Sequence, residues 1–344
     1  MPQPWGLLLL FALAIVMLCV WGGALTALQA LRPPRKFFAW ALATGRPKDP
    51  ADLGLAFEDT QYSSGQHFPC PAWRITAKST HPNAPILVVI HGWGRSRWDS
   101  LTRVEPFLHA CCEMVLLDLP AHGEHASTWS ALGIHEPTCV LNVLQEIARQ
   151  SPGKNIILAG HSMGAGIAIR AANLAAQHMV ELPANTPKNQ AKPKPAPIET
   201  TTKPSQATIN QAAPQQATSS QHVRVVGVIA FAPYQTLRSP IPARLRLKNL
   251  PRWPLAPIAF LILRILNRMD QPLSMDAREL RAPLLVMTGD HDPISPAADA
   301  QKISEAALRS TLIVLPYSRH DNLREGNAEQ FDNAIAKFLQ GITA

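Results

Sequence analysis

Five short apolar runs, each ending in glycine, proline or a polar residue that a turn favours, constrain this chain most. They are APILVVIHGWG, EMVLLDLPAHG, NIILAGHSMG, VRVVGVIAFAP and PLLVMTGDHDP. Runs of five to seven apolar residues without alternation are strands buried on both faces, the signature of parallel pairing. Helical stretches separate most of them. HEPTCVLNVLQEIARQ places Val140, Val143, Leu144 and Ile147 on one side, and a second helix is expected from about Gly164 to Val180. The pattern predicts an α/β fold with a doubly wound, mostly parallel sheet. Upstream, FEDTQYSSG and HFPCPAWRITA read as two strands around a turn at Ser64-Gly65. Downstream, SPAADAQKISEAAL reads as a helix with Ser295 as its N-cap, and STLIVLPYSRHDN as a last strand. NAEQFDNAIAKFLQG reads as a final helix, with Phe331, Ile335, Phe338 and Leu339 inward and Gly341 beyond its end.

The N-terminal text differs. From Trp5 to Leu31 there is no charged residue, and about 20 apolar residues span a bilayer as a helix. Residues 1–36 therefore read as a transmembrane anchor with a basic flank, Arg32, Arg35 and Lys36. The positive-inside rule places the rest in the cytoplasm. Cleavage near Gly22-Gly23-Ala24, releasing a secreted or periplasmic protein, is the competing reading. Residues 182–222 are rich in Pro, Thr, Gln and Lys, with Ile198 and Ile209 the only large apolar residues after Leu182. Such a tract cannot offset its chain entropy by burial and reads as a disordered insertion. The body of the chain is then residues 50–344, interrupted once.

Lys and Arg exceed Asp and Glu by 32 to 24. The surplus is clustered, and with an apolar anchor and no nucleic-acid motif beside it, it points to a membrane surface. Protein partners are not legible. The five cysteines include no C-x-x-C pair, so neither a disulfide framework nor a zinc site is indicated and buried free thiols are expected.

Ser162 sits in Gly-His-Ser-Met-Gly, directly after one buried strand and before a helix. A sharp strand-to-helix turn presents a serine hydroxyl, and a side chain at Gly160 or Gly164 would obstruct it. His122, Glu124 and His125 in AHGEH are expected to order a loop rather than hold a metal, and His161 to bond locally. No cofactor is expected.

These residues resemble the α/β-hydrolase family from about Leu53 to Leu339, apart from the insertion. HGWG is similar to the family's oxyanion loop, which implies backbone N–H donors at Trp93 and at Met163. DLPAHG resembles the family's Asp-x-Pro-Gly-x-Gly loop, with Ala121 replacing a glycine, and GDHDPISP resembles its acid turn. The family's chain order is Ser, acid, His. Only His320 follows the acid turn. Asp290 and Asp292 both stand at the strand end, and the resemblance favours Asp292. The tract after GVIAFAP, Tyr234 to about Asp276, is expected to form a lid, because sites in open sheets lie at the strands' C-terminal ends. In it, PLAPIAFLILRILNRM reads as a helix with Arg264, Asn267 and Arg268 as its polar stripe. It either packs on its own domain or meets lipid.

The reading is a membrane-tethered serine hydrolase acting on a carboxylic ester or thioester, including those of lipids. Peptidase, amidase, acyltransferase and an inactive interaction module stand as alternatives.

Overall fold

The structure is a computed structural model describing residues 4–65, 68–79, 81–180 and 223–343. The expected insertion at 182–222 lies outside the described residues. Helices α1 (Pro4–Leu31) and α2 (Phe38–Ala43) precede an antiparallel hairpin of β1 (Phe57–Tyr62) and β2 (Cys70–Thr76). Then follow β3 (Ile86–Ile90), α3 (Arg97–Leu101), β4 (Glu113–Leu117), α4 (Glu136–Gln150), β5 (Ile156–His161), α5 (Met163–Val180) and β6 (Val225–Phe231). Three helices come next, α6 (Pro240–Leu247), α7 (Leu255–Ile265) and α8 (Leu273–Glu279). The chain closes with β7 (Leu284–Gly289), α9 (Ala297–Ala306), β8 (Ser310–Leu315) and α10 (Ala328–Thr343).

The eight strands form one sheet in the order β1-β2-β4-β3-β5-β6-β7-β8. Strands β3 to β8 are all parallel, and β4 pairs antiparallel with β2. Alternate residues of each central strand enter opposite cores. Val88, Val115 and Leu158 pack with α4 and α5, whereas Leu87, Leu116 and Ile157 pack with α10. Every residue of β5 and of β7 is buried, as continuous apolar runs require.

At 1.5 Å per residue the 28-residue α1 is about 42 Å long. Its side chains from Trp5 to Leu18 are exposed, while its last turns join the domain through Ala27 and Leu31, both buried. Gly22 and Gly23 make that junction possible. A Cβ on Gly23 would lie 2.4 Å from the Ile258 side chain, and one on Gly22 2.6 Å from Leu255, both on α7.

Four local expectations are corrected. Pro296, extended at φ −56° and ψ 140°, is the cap of α9, which places Ser295 one residue before the cap, its Oγ buried without a hydrogen-bond partner. Gly341 lies inside α10 rather than beyond it. Helix α7 stops at Ile265, and left-handed Asn267 (φ +53°) turns the chain away, so Asn267 and Arg268 are not part of a helical stripe. Helix α5 begins at Met163, one residue earlier than expected. The described cysteines are free, but Cys70 and Cys139 bring their sulfurs within 3.0 Å of each other.

A buried ion pair holds the loop after β4. Asp118 accepts the N–H groups of Arg97 (2.8 Å) and Glu124 (3.0 Å), and the Arg97 guanidinium, lying over the Trp73 and Trp98 rings, faces it. Burial pushes the Asp118 pKa up to about 6. The folded state then binds this proton more tightly than the unfolded chain, so the carboxylate's cost is present above pH 6 and relieved as pH falls. Arg97→Met strands the charge. It is expected to cost about 3–5 kcal/mol at pH 7 and less at pH 5, as read from urea midpoints of both proteins at both pH values.

Candidate active site

Ser162 joins β5 to α5 with φ +55°, a region that costs a side-chain-bearing residue about 1–3 kcal/mol unless its surroundings hold it there. They do. Its N–H donates to Phe231 O (2.8 Å), and its carbonyl accepts from Ala165 N (3.0 Å). The flanking glycines are demanded by backbone contacts. A Cβ at Gly160 would meet Gly164 O at 2.1 Å, and one at Gly164 would meet Ile90 O at 2.2 Å. The end of β3 and the turn after β5 therefore lie backbone against backbone.

His320, on the loop after β8, places Nε2 2.9 Å from Ser162 Oγ and Nδ1 2.7 Å from Asp292 Oδ2. The other Asp292 oxygen accepts from the N–H groups of Ile294 (2.7 Å) and Ser295 (2.9 Å). All three residues are buried. Asp290 turns away and accepts from the exposed His291 ring. His161 donates Nε2–H to the His320 carbonyl (2.8 Å), and burial holds its pKa well below the usual range, leaving it a neutral prop.

The HGWG loop after β3 faces this group. His91 Nδ1–H donates to Gly92 O (2.8 Å) and its Nε2 accepts from Leu119 N (3.0 Å), with burial lowering its pKa to about 4. Trp93 follows, its indole N–H donating to Ala30 O of α1 (2.7 Å) and its ring lying under the Arg244 guanidinium at 3.9 Å. Met163 is the first residue of α5, so its N–H has no acceptor within the helix. In DLPAHG, Ala121 adopts φ +69°, the left-handed conformation that glycine takes most easily. Glu124 pairs with Arg97, His122 bonds Pro120 O (2.9 Å), and His125 accepts from Ser127 N (3.0 Å).

A cavity of about 390 Å³ opens over Ser162. Its walls include Trp93, Leu132 and Met163 from the sheet side, and Tyr234, Leu237, Ile241, Arg244 and Leu245 from the tract expected to be a lid. Thr26, Gln29 and Ala30 of α1 complete it. Sequence reasoning missed both α1 and Arg244 here. The available signal was slight: Gly22-Gly23 followed by Thr26 and Gln29 puts small and polar residues at helical spacing within an apolar run.

A family model described as the alpha/beta hydrolase family matches residues 87–333. The chain belongs to that family. Its fold resembles an esterase of Pyrococcus furiosus, 16% identical with a TM-score of 0.62, covering 92% of this chain and 99% of that one. It also resembles a structure described as a membrane phospholipase A and bacterial virulence factor, 17% identical with a TM-score of 0.55, covering 98% of this chain and 97% of that one. In sequence, 93 residues are 34% identical to the biotin biosynthesis bifunctional protein BioHC of Saccharophagus degradans. The match spans 27% of this chain and only 15% of that protein.

The glycine contacts give a graded expectation. Gly160→Ala and Gly164→Ala each force backbone against Cβ and should cost about 3 kcal/mol or more. Gly166→Ala meets only side chains at ordinary contact distance, Leu273 at 3.7 Å and Arg170 at 3.8 Å, and should raise stability by about 0.5–1 kcal/mol. Thermal unfolding of the three variants checks the order.

Proposed function

We propose that this protein is a serine hydrolase tethered to a membrane by α1, cleaving a carboxylic ester or thioester of a lipid-like substrate. The observation carrying the proposal is the continuous hydrogen-bonded line from Ser162 Oγ through the His320 ring to Asp292 Oδ2. In it Ser162 is the nucleophile, His320 the general base and then acid, and Asp292 the group that orients the imidazole and stabilises its charged form. With Nδ1–H directed at Asp292, Nε2 is left to take the serine proton. Ser162 Oγ then bonds to the carbonyl carbon, the carbonyl oxygen turns toward the Trp93 and Met163 N–H groups, and His320 protonates the departing alkoxide or thiolate. A water activated by the same ring releases the acyl group from serine.

Hydrolase activity follows from the family. The lipid-like substrate is supported by the cavity's apolar walls and by the contribution of α1 to them. Retention of α1 as an anchor, rather than its removal, is supported by its packing. Cleavage near Gly22-Gly23-Ala24 would discard the face that meets Leu255 and Ile258. The basic flank suits a cytoplasmic domain, and it also docks, with Arg35 donating to His125 O and Ser127 O and Lys36 pairing with Asp99 at 3.0 Å.

The test uses the full chain in detergent with a fluorophosphonate probe. Wild type should label and Ser162→Ala should not. On an octanoyl ester, Asp292→Asn should lower kcat about 10⁴-fold, while Asp290→Asn stays near wild type. A folded wild type that resists labelling would favour the inactive module, and faster turnover of the matched octanoyl amide would favour an amidase. Intact mass of the membrane-extracted protein should include residues 1–31.

A further inference from the structure

The charges around the cavity do not balance within the protein. Of its basic residues, Lys36 and Arg95 share Asp99, and Arg95 also holds Asp321. Lys248 reaches only the Gln29 amide, at 3.2 Å. Arg244 has less still. Among the described residues it forms no ion pair, and its Nε is buried without an acceptor. Its guanidinium rests on the Trp93 indole at 3.9 Å. Burial lowers its pKa to about 10, which leaves it a cation at neutral pH. A guanidinium held in a cavity with its donors unspent is poised for an anion.

Position narrows the anion. Arg244 covers the ring of the very residue whose backbone N–H is assigned to the ester oxygen, and it lines one cavity with Ser162, so its ligand lies in the same chamber as the scissile carbonyl. A phosphodiester on the glycerol carbon next to an acylated one keeps its anion close to the ester, whereas the carboxylate at the far end of a dicarboxylic chain lies well away from it. The surroundings indicate the source. The cavity's α1 wall continues into exposed apolar side chains of that helix, and Leu247, Trp253, Leu261 and Ile265 around the lid are exposed as well. These are surfaces that a bilayer covers.

We propose that Arg244 is a specificity-determining residue that receives the phosphodiester of a glycerophospholipid drawn from the bilayer, with Lys248 at the rim, while the adjacent acyl ester reaches Ser162. The proposal rests on the serine hydrolase reading and adds the substrate class to it. Stacking on Trp93 alone would also fill the space, and the two roles separate by charge.

The experiment compares kcat/KM of the full-length protein in one detergent on dioctanoyl phosphatidylglycerol and on neutral dioctanoylglycerol. Arg244→Met keeps the stem over Trp93 and removes the charge. It should lower the phospholipid-to-glyceride ratio about 10–100-fold, the worth of charge-assisted hydrogen bonds, and Arg244→Lys should recover part of that loss. The rate of fluorophosphonate labelling reports whether each variant keeps its fold. Equal losses on both lipids would reduce Arg244 to packing and overturn the proposal. So would a loss confined to mono-4-nitrophenyl suberate, an ester with a remote carboxylate. A wild type that cleaves the glyceride and spares the phospholipid defeats this inference alone. One that neither labels nor cleaves any of the three defeats the hydrolase reading beneath it.

Discussion

The contact on which this structure depends is between two backbones. The carbonyls of Ile90 and Gly164 come so close to Gly164 and Gly160 that neither glycine could carry a β-carbon. That approach brings the end of β3 and the start of α5 together, and between them it holds Ser162 in a left-handed conformation. Everything else at the site is arranged around a serine that cannot relax. The His161–His320 carbonyl bond fixes the imidazole's backbone, two N–H groups hold one oxygen of Asp292, and His91 ties the HGWG loop to the loop after β4. Each tie uses backbone groups, which gives the site a rigidity that side-chain packing alone would not supply.

The sheet and the site were legible in the sequence to different depths. Parallel strands reveal themselves as unbroken apolar runs, because both faces are covered, so β3 to β7 could be placed before any coordinates. The Gly-x-Ser-x-Gly turn was legible because its glycines answer a steric demand that no other residue meets. Asp292 and Asp290 were harder to separate, since the difference between them lies in which carboxylate the turn's N–H groups face. Helix ends were misjudged where the local turn outranks propensity. Ser295 has the side chain of a cap but belongs to the acid turn, where its N–H is held by Asp292, and the helix starts one residue later, after Pro296; a left-handed Asn267 ends a helix whose apolar pattern runs on.

What the sequence hid is tertiary. An unbroken apolar run such as α1 looks alike whether all of it faces lipid or one end also packs on protein. The difference rests on Gly22 and Gly23, which let α7 approach, and on Thr26 and Gln29, about one and two turns further. Arg244 was one cation among several in a basic segment, and only the fold shows that it lines the cavity over Ser162, stacked on Trp93 with its Nε buried and unpaired. Two elements that seemed separate modules, an anchor and a lid, are a single packed unit roofing the site.

The hydrogen bond from the Trp93 indole to Ala30 O makes that roof part of the chemistry's geometry. One residue supplies a side chain that grips α1 and a stretch of backbone in the HGWG loop beside Ser162, so the posture of the helix and the shape of that loop are mechanically linked. A soluble fragment beginning at Lys36 would retain Ser162, Asp292 and His320, yet it would leave the indole without its acceptor and the cavity without a wall. Such a fragment presents a differently walled cavity from that of the full chain. For this chain, solubilisation by truncation is itself a mutation of the site.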